Sequence, residues 1–537
     1  MSLSLLSRYA FFAFCVLFTL ATLPFIEHEW LWPFTLVTGV LSLVGLLDLL
    51  QTPHAVRRNY PILGNIRYLV EGIRPEIRQY LLEADGDKLP FSRAQRSLVY
   101  ARAKNEGADK PFGTLMDVYQ AGFEFIGHSM RPAPLSDPSA FRVEIGGPQC
   151  TQPYSASIFN ISAMSFGSLS ANAIRALNQG AKLGGFYHDT GEGSISPYHR
   201  EHGGDLVWEL GSGYFGCRTA AGLFDPERFA AQAQNPQVRM IEIKLSQGAK
   251  PGHGGILPKH KVTKEISETR GVMMGEDCIS PSRHSAFSTP IEMMQFIAQL
   301  RELSGGKPVG FKFCLGHPWE FMGIAKAMLA TGIYPDFIVV DGKEGGTGAA
   351  PLEFTDHIGV PLREGLLFVH NVLVGLNLRD KIKLGASGKI VSAFDIASVL
   401  SIGADWANSA RGFMFAIGCI QSQSCHTNKC PTGVATQDAL RQRALVVPDK
   451  AQRVHSFHRN TLKALAEMLA AAGLDHPAQL EPRHLVRRVS DSEIRLFSQL
   501  HVFLKPGDLL KETIEADFYG RMWEMARADS FEAACGW

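Results

Sequence analysis

An excess of charge of either sign is missing from this chain: 53 Lys+Arg stand against 52 Asp+Glu in 537 residues, a formal net charge of +1. That balance withholds the basic face or stripe of a nucleic-acid binder, so nucleic acid is not expected as a partner. Cysteine is scarce as well. Nine cysteines in a chain of this length make no disulfide framework, and three of them are crowded into one short stretch. Thiolates held in that way need a reducing compartment, which places the catalytic body in the cytosol. No candidate strand is expected to be followed by a G-x-G-x-x-G turn, which argues against an internal NAD(P)H site.

The crowded stretch is GCIQSQSCHTNKCPTG, with Cys419, Cys425 and Cys430 spaced C-x5-C-x4-C and a proline after the last. Three thiolates without a fourth cysteine nearby suit a cluster with three irons better than a four-ligand site. Structural zinc usually takes four protein ligands, often as two C-x2-4-C pairs. A zinc site completed by His426 and a set of three unrelated buried cysteines are the competing readings. An iron–sulfur site makes the chain an electron-transfer protein.

The first fifty residues differ in composition from the rest. Tyr9 to Phe25 carries no charge, and Trp30 to Leu50 is interrupted only by Pro33 and Asp48. Each run is long enough to cross a bilayer. The loop between them, IEHEW, holds two glutamates and no lysine or arginine, whereas Arg8 precedes the pair and Arg57, Arg58 and Arg67 come after it. The positive-inside rule then puts both ends in the cytoplasm and the turn outside: a multi-pass protein of the cytoplasmic (inner) membrane with two spans, 1–55, and a cytosolic catalytic domain. Trp30 and Trp32 stand where interfacial aromatics belong. A cleaved signal peptide and a soluble helical hairpin are the alternatives. Residues 56–150 read as amphipathic helix broken by prolines and then polar loops, a lead-in expected to pack on the catalytic domain or the membrane face.

From residue 151 to 440 short apolar strands alternate with helical stretches, the pattern of parallel β/α units. Candidate strands are Ile158–Met164, Gly184–Asp189, Leu206–Gly211, Met240–Lys244, Val309–Phe313, Phe337–Asp341, Ile382–Ala386 and Asp405–Ser409. Eight is the count of an α/β, (β/α)8 TIM barrel, and the glycine-rich polar motifs fall just after the strands, at the rim where barrels keep their active sites. A doubly wound sheet is the alternative. Ala386, Ser387 and Gly388 end the seventh strand, with Ser392 as a helix cap, and Ala410, Arg411 and Gly412 come after the eighth. Loops at these two positions commonly bind phosphate. Lys312 interrupts an apolar strand, GFKFC, where an unpaired lysine would be rare. Residues 441–537 read as a helical extension.

Taken in order, SAMSFGSLS at 162–170, TGEG at 190–193, KLSQGAKPGHGGILPKHKVTKEI at 244–266, VDGKEGGTGAAP at 340–351 and the cysteine segment ending in PTGVATQ make the chain from Ile161 to Gln437 resemble the FMN-binding synthase domain of glutamate synthases. More narrowly it resembles the short stand-alone, large-subunit-like members. The resemblance implies an FMN-binding barrel with a [3Fe-4S] cluster on Cys419, Cys425 and Cys430. It implies that Lys312 faces the N1–C2=O edge of the flavin, that Met164, Ser165 and Gly167 lie along the ring, and that Thr347 and Gly348 close over it. Glu192, Lys250 and Arg270 then match the family's active-site glutamate and its substrate-binding lysine and arginine. The implied reaction is that of an oxidoreductase acting on CH–NH2 donors: reductive amination of 2-oxoglutarate to glutamate, with hydride from reduced FMN. Two positions depart from the family's KPGEGGQLPG. His253 stands for the glutamate and Ile256 for the glutamine. Ile256 has no hydrogen bond to offer a keto acid, which opens a second expectation, another amino or imino acid such as an N-substituted glutamate. A membrane redox relay is a third. With neither a glutaminase domain nor a large C-terminal repeat domain expected, ammonia is to come free or from a partner. Electrons are to come from a separate donor: ferredoxin, a reductase subunit or the quinone pool.

Overall fold

The computed structural model describes residues 3–84, 87, 90–107, 109, 111–515 and 517–534. It divides into two compact units, Met1–Asp87 and Lys88–Trp537.

In the first unit two helices, α1 (Leu3–Thr22) and α2 (Trp32–Leu50), run as an antiparallel hairpin. Each is long and apolar enough to cross a membrane. Their polar groups face one another. Thr19 donates to Thr38 at 2.9 Å and Thr35 to Thr22 at 2.8 Å, and Thr35 and Gly45 are buried. The bulky side chains face outward instead: Phe14, Leu17, Leu20, Phe34, Val37, Val40 and Leu43 are all exposed. Asp48, which interrupts the second apolar run, is buried and accepts hydrogen bonds from Ile62 N (3.0 Å) and the Asn65 side chain, so its carboxyl group holds the chain that leaves the hairpin.

The second unit is built on eight parallel strands closed into a barrel: β1 (Phe159–Ile161), β2 (His188–Asp189), β3 (Leu206–Leu210), β4 (Val238–Lys244), β5 (Val309–Phe313), β6 (Phe337–Asp341), β7 (Lys383–Ser387) and β8 (Trp406–Ser409). β8 pairs with β1 to close it. Each strand overlaps a candidate read from sequence, and the doubly wound alternative is excluded. Alternation along the strands explains the wall. On β5, Phe311 and Phe313 turn toward the helical layer, where Phe313 stacks on Phe321 at 5.4 Å, so Gly310 and Lys312 turn inward. On β3, Trp208 stacks on Phe229 of the next helix at 5.2 Å, leaving Val207 and Glu209 inside.

One expectation needs correction. Gly211-Ser212-Gly213-Tyr214-Phe215-Gly216 comes directly after β3 with the dinucleotide-loop spacing. It opens no helix, because the segment runs through turns until Pro226, and the Tyr214 hydroxyl is held by His284 at 3.0 Å. Without a helix N-terminus behind it the spacing has no phosphate-binding geometry.

Helices that matter for the rim are α3 (Arg93–Lys104), α4 (Ala171–Gly184), α5 (Lys264–Arg270), α6 (Ala393–Ile402) and the 25-residue α7 (Val447–Ala471). Ser92 caps α3 and Ser392 caps α6, each through a capping box. The residues after α7 add two antiparallel strands, Leu485–Arg488 and Ile494–Leu496, the first of which pairs with Glu124–Ile126.

Candidate active site

The loops after the strands meet over a cavity of about 160 Å³ that adjoins a second of about 950 Å³. Met164, Ser165, Glu192, Lys250, Lys312, Thr347, Gly348, Ser387, Gly388, Ala410, Arg411 and Gly412 all line the first. Cys419, Cys425 and Cys430 line the second, and Cys425 lines both. Three expected residues line neither cavity. Ala386 is enclosed within β7, and Gly167 stands behind the wall, where an added Cβ would lie 3.2 Å from Arg270. Arg270, at the end of α5, braces the same loop from behind: its Nη2 donates to Phe166 O at 2.8 Å, and its guanidinium lies 5.3 Å from the Phe215 ring centroid.

Glu192 sits in a slot made by missing side chains. A Cβ on Gly255 would come within 2.0 Å of its Oε1, and one on Gly211 within 2.8 Å of its Oε2. Lys244 Nζ lies 3.1 Å from Oε1, and Ser280 Oγ donates to Oε2 at 3.2 Å. Burial alone would raise the carboxyl's pKa, but Lys244, Arg270 and Ser280 outweigh it and hold the pKa below the ordinary glutamate value. Glu192 is therefore a carboxylate at neutral pH. Lys250 is buried too, which lowers its pKa, with Glu192 opposing and Lys244 adding to that effect.

Beneath this pair Lys312 is the cation of an acidic barrel interior. Its ammonium contacts Glu209 and lies 3.4 Å from Glu242, while Asp189, Glu209 and Glu242 bring oxygens within 4.8 Å of one another. Burial and Glu209 lift Asp189 to about 7, and burial with Asp189 lifts Glu242 well above the carboxylate range. Burial works against the Lys312 charge, yet the surrounding carboxylates keep it firmly protonated. Protons and Lys312 together balance the interior.

On the opposite wall the two glycine loops are joined, since Ser409 Oγ donates to Ile390 O. Arg411 Nη2 donates to Thr347 O at 3.0 Å, which ties the loop after β8 to the Gly345–Gly348 strip. Lys389, half-buried, adds a cation on the same side. A phosphate end with Lys389, Arg411 and two serine hydroxyls, a strip of three glycines around Thr347, and a buried lysine opposite form a donor set that fits FMN.

For the cysteines, Cys419 and Cys430 are buried and Cys425 half-buried. Burial pushes the Cys419 thiol up to about 11. Burial also acts against Cys430, but the amides of Ala435, Thr432 and Val434 and the Thr432 hydroxyl outweigh it and leave its pKa lowered. Among the described residues one group of three metal-ligating types has its ligand atoms within 4.8 Å of one another, the acids around Lys312. The three sulfurs therefore do not. Tetrahedral zinc would hold sulfurs about 3.8 Å apart, given its bond length of about 2.3 Å. Three cysteines that line one cavity are a donor set that an iron cluster would use. His426 sends its carbonyl to His260 Nε2 at 3.1 Å.

Several residues escaped the sequence reading. Glu209 and Glu242 carry the signal that flagged Lys312, a charge inside an apolar strand (LVWEL, MIEIK), and Lys244 ends the second of these. Phe91 carries no such signal. It lines both cavities, and its backbone N–H and C=O are both bonded by Gln421 at 3.1 Å. Tyr100 of α3 donates to Cys419 O at 2.6 Å, so the lead-in braces the cysteine segment. Ile256 lines both cavities, whereas His253 does not line the first; its Nδ1 lies 2.8 Å from Gly254 O and its ring packs edge-on against Phe354.

An eight-stranded parallel barrel with a cation-bearing cavity at its C-terminal rim defines the class. Residues 145–475 match the conserved region in glutamate synthase, and the chain belongs to the glutamate synthase family. It is 37% identical over 495 residues to the glutamate synthase large subunit-like protein YerD of Bacillus subtilis, which covers 84% of this chain and 94% of that protein. It is 34% identical over 314 residues to the archaeal-type glutamate synthase (NADPH) of Thermotoga neapolitana, covering 58% of this chain and 59% of that protein. Against the glutamate synthase (NADPH) large chain of Azospirillum brasilense the identity is 33% over 319 residues, 58% of this chain but 20% of that protein. The chain thus spans less than two thirds of these two named synthases. Among solved structures it aligns with a flavocytochrome b2 mutant with pyruvate bound, at a TM-score of 0.40 and 13% identity over 88% of this chain and 94% of that one.

Proposed function

We propose that this chain is a membrane-anchored FMN and iron–sulfur oxidoreductase of the CH–NH2 class, which aminates 2-oxoglutarate reductively to glutamate. The observation that carries the reading is that the cavity fit for a flavin and the cavity lined by the three cysteines adjoin, with Cys425 in both walls. Bound FMN would supply hydride to the imine carbon, and a [3Fe-4S] cluster on Cys419, Cys425 and Cys430 would supply its electrons from a separate donor such as ferredoxin, a reductase subunit or the quinone pool. Lys250 holds a substrate carboxylate by charge-assisted hydrogen bonding. Arg270 keeps the Ser165–Phe166 loop in place at that wall. Glu192, ionised, accepts a proton as ammonia adds to the keto carbon, and returns it as water leaves. Lys312 offers its charge where the reduced ring becomes negative. Ser387, Gly388, Ala410, Arg411 and Gly412 hold the phosphate.

The hairpin anchors this body to the cytoplasmic membrane, with the catalytic unit in the cytosol. Its threonines face inward and its Phe, Leu and Val side chains outward, the reverse of a soluble hairpin. Ammonia-dependent glutamate formation from 2-oxoglutarate by the reduced protein tests the reaction, and no turnover with any electron donor rejects it.

Ile256 favours a second reading, in which fold and cofactors stay and the substrate is another amino or imino acid. Its apolar side chain forms cavity wall where the family's glutamine would bond a keto oxygen. Turnover with methylamine exceeding that with ammonia, and recovery of 2-oxoglutarate use in Ile256→Gln, would establish this reading. Equal or better use of ammonia by the unaltered protein would reject it.

A further inference from the structure

Lys261 is buried at 3% exposure, and its ammonium donates to three carbonyls from two stretches of the chain. Ser168 O lies at 3.1 Å on the flavin-side loop, Cys425 O at 3.3 Å in the cysteine segment and Ala435 O at 3.4 Å just beyond it. An ammonium has three N–H groups, and all are used. None goes to a carboxylate: among the described residues no ion pair to an Asp or Glu forms at Lys261. A buried charge without a counter-charge is costly, and a glutamine would pin carbonyls without that cost. The position therefore fits an anion that arrives later, and Cys425, whose own carbonyl Lys261 holds, and Cys430 are the thiols whose negative charge would favour the ammonium. Gln437 joins the same segments, since its Nε2 donates to Gly167 O and Leu169 O, both at 2.9 Å. Neutral pinning is thus already provided, and what Lys261 adds is charge.

We infer that Lys261 is a positioning residue and counter-charge, one that locks the cysteine segment to the flavin-side loop and favours the added electron on a thiolate-held iron cluster. The inference rests on the iron–sulfur reading of the cysteine segment. A positive group at this junction makes reduction of the cluster easier, which draws electrons from an outside donor toward the flavin.

The test uses the full-length protein, purified anaerobically in detergent, with Lys261→Arg and Lys261→Gln variants. Iron content and an EPR-monitored redox titration are the readouts. Lys261→Arg is expected to keep iron and potential close to the original. Lys261→Gln is expected to keep its fold and either lose iron or hold a cluster whose potential has moved to more negative values. If the unaltered protein holds no iron, the iron–sulfur reading fails and this inference falls with it. If the unaltered protein holds a cluster and Lys261→Gln matches it in iron and potential, the inference alone is overturned. Equal loss of iron from both variants also overturns it, because a required shape rather than a charge would then be at work.

Discussion

Replacing Lys244 by methionine isolates the electrostatics of the substrate wall. Lys244 Nζ and Glu192 Oε1 lie 3.1 Å apart, with side-chain exposures of 9% and 15%. Removing one partner of a buried pair costs up to about 3–5 kcal/mol where nothing else compensates the remaining charge, and Arg270 and Ser280 reduce that loss here. Methionine keeps most of the volume, so little of the effect comes from packing. The sign with pH is set by Glu192, whose folded pKa lies below its ordinary 4.5. Its contribution is fully present above the unfolded value and is lost as pH falls through the folded one. In Lys244→Met the strongest of the groups opposing burial is gone while Arg270 and Ser280 remain, so the carboxyl titrates at higher pH than in the unaltered protein and the variant sheds its penalty earlier on acidification. The stability gap between the two proteins is thus widest near neutrality and narrows as pH falls toward 4.5 and below. Denaturant unfolding between pH 7 and pH 4 reads the gap, with fluorescence of the buried Trp208 and Trp406 reporting the barrel. In a double-mutant cycle, Lys244→Met with Glu192→Gln should cost less than the two single changes added, by about 0.5–3 kcal/mol. A gap that stays constant across this range, or strict additivity in the cycle, refutes the reasoning.

Lys312→Met removes the cation set opposite the flavin edge, and loss of one charge-assisted hydrogen bond of about 1.5–3 kcal/mol should weaken FMN binding roughly tenfold to a hundredfold. Flavin fluorescence in equilibrium dialysis measures it. Cys425→Ser should abolish the cluster's EPR signal while FMN stays bound, as metal analysis with absorption spectra will show. Deleting residues 1–50 should move the protein from the membrane fraction to the soluble fraction in centrifugation. An unaltered distribution would refute the anchor.

Strand positions were most legible where a barrel strand is a short, mainly apolar run, as in Leu206–Leu210, Val309–Phe313 and Phe337–Asp341, and least at β2, which is only His188–Asp189. Val309–Phe313 and Phe337–Asp341 agree residue for residue, whereas the others shift at their ends, where the chain turns into loops. Lys312 was legible as a charge in an apolar strand, and the same signal at Glu209 and Glu242 was passed over. Their meaning is mutual: three strands must close into a barrel before one lysine can meet the carboxylates. Arg270 shows the limit of motif matching, since spacing along α5 cannot tell the front of a loop from its back. Phe91 could not be found from sequence, because Gln421, which fixes it, lies 330 positions away.

The most direct measurement is a visible absorption spectrum together with EPR on the full-length protein, purified anaerobically and then oxidised. Flavin absorption accompanied by the signal of a three-iron cluster, both lost on reduction by dithionite, is the predicted result. A protein that is colourless and iron-free, even after reconstitution with FMN, iron and sulfide, would contradict the account.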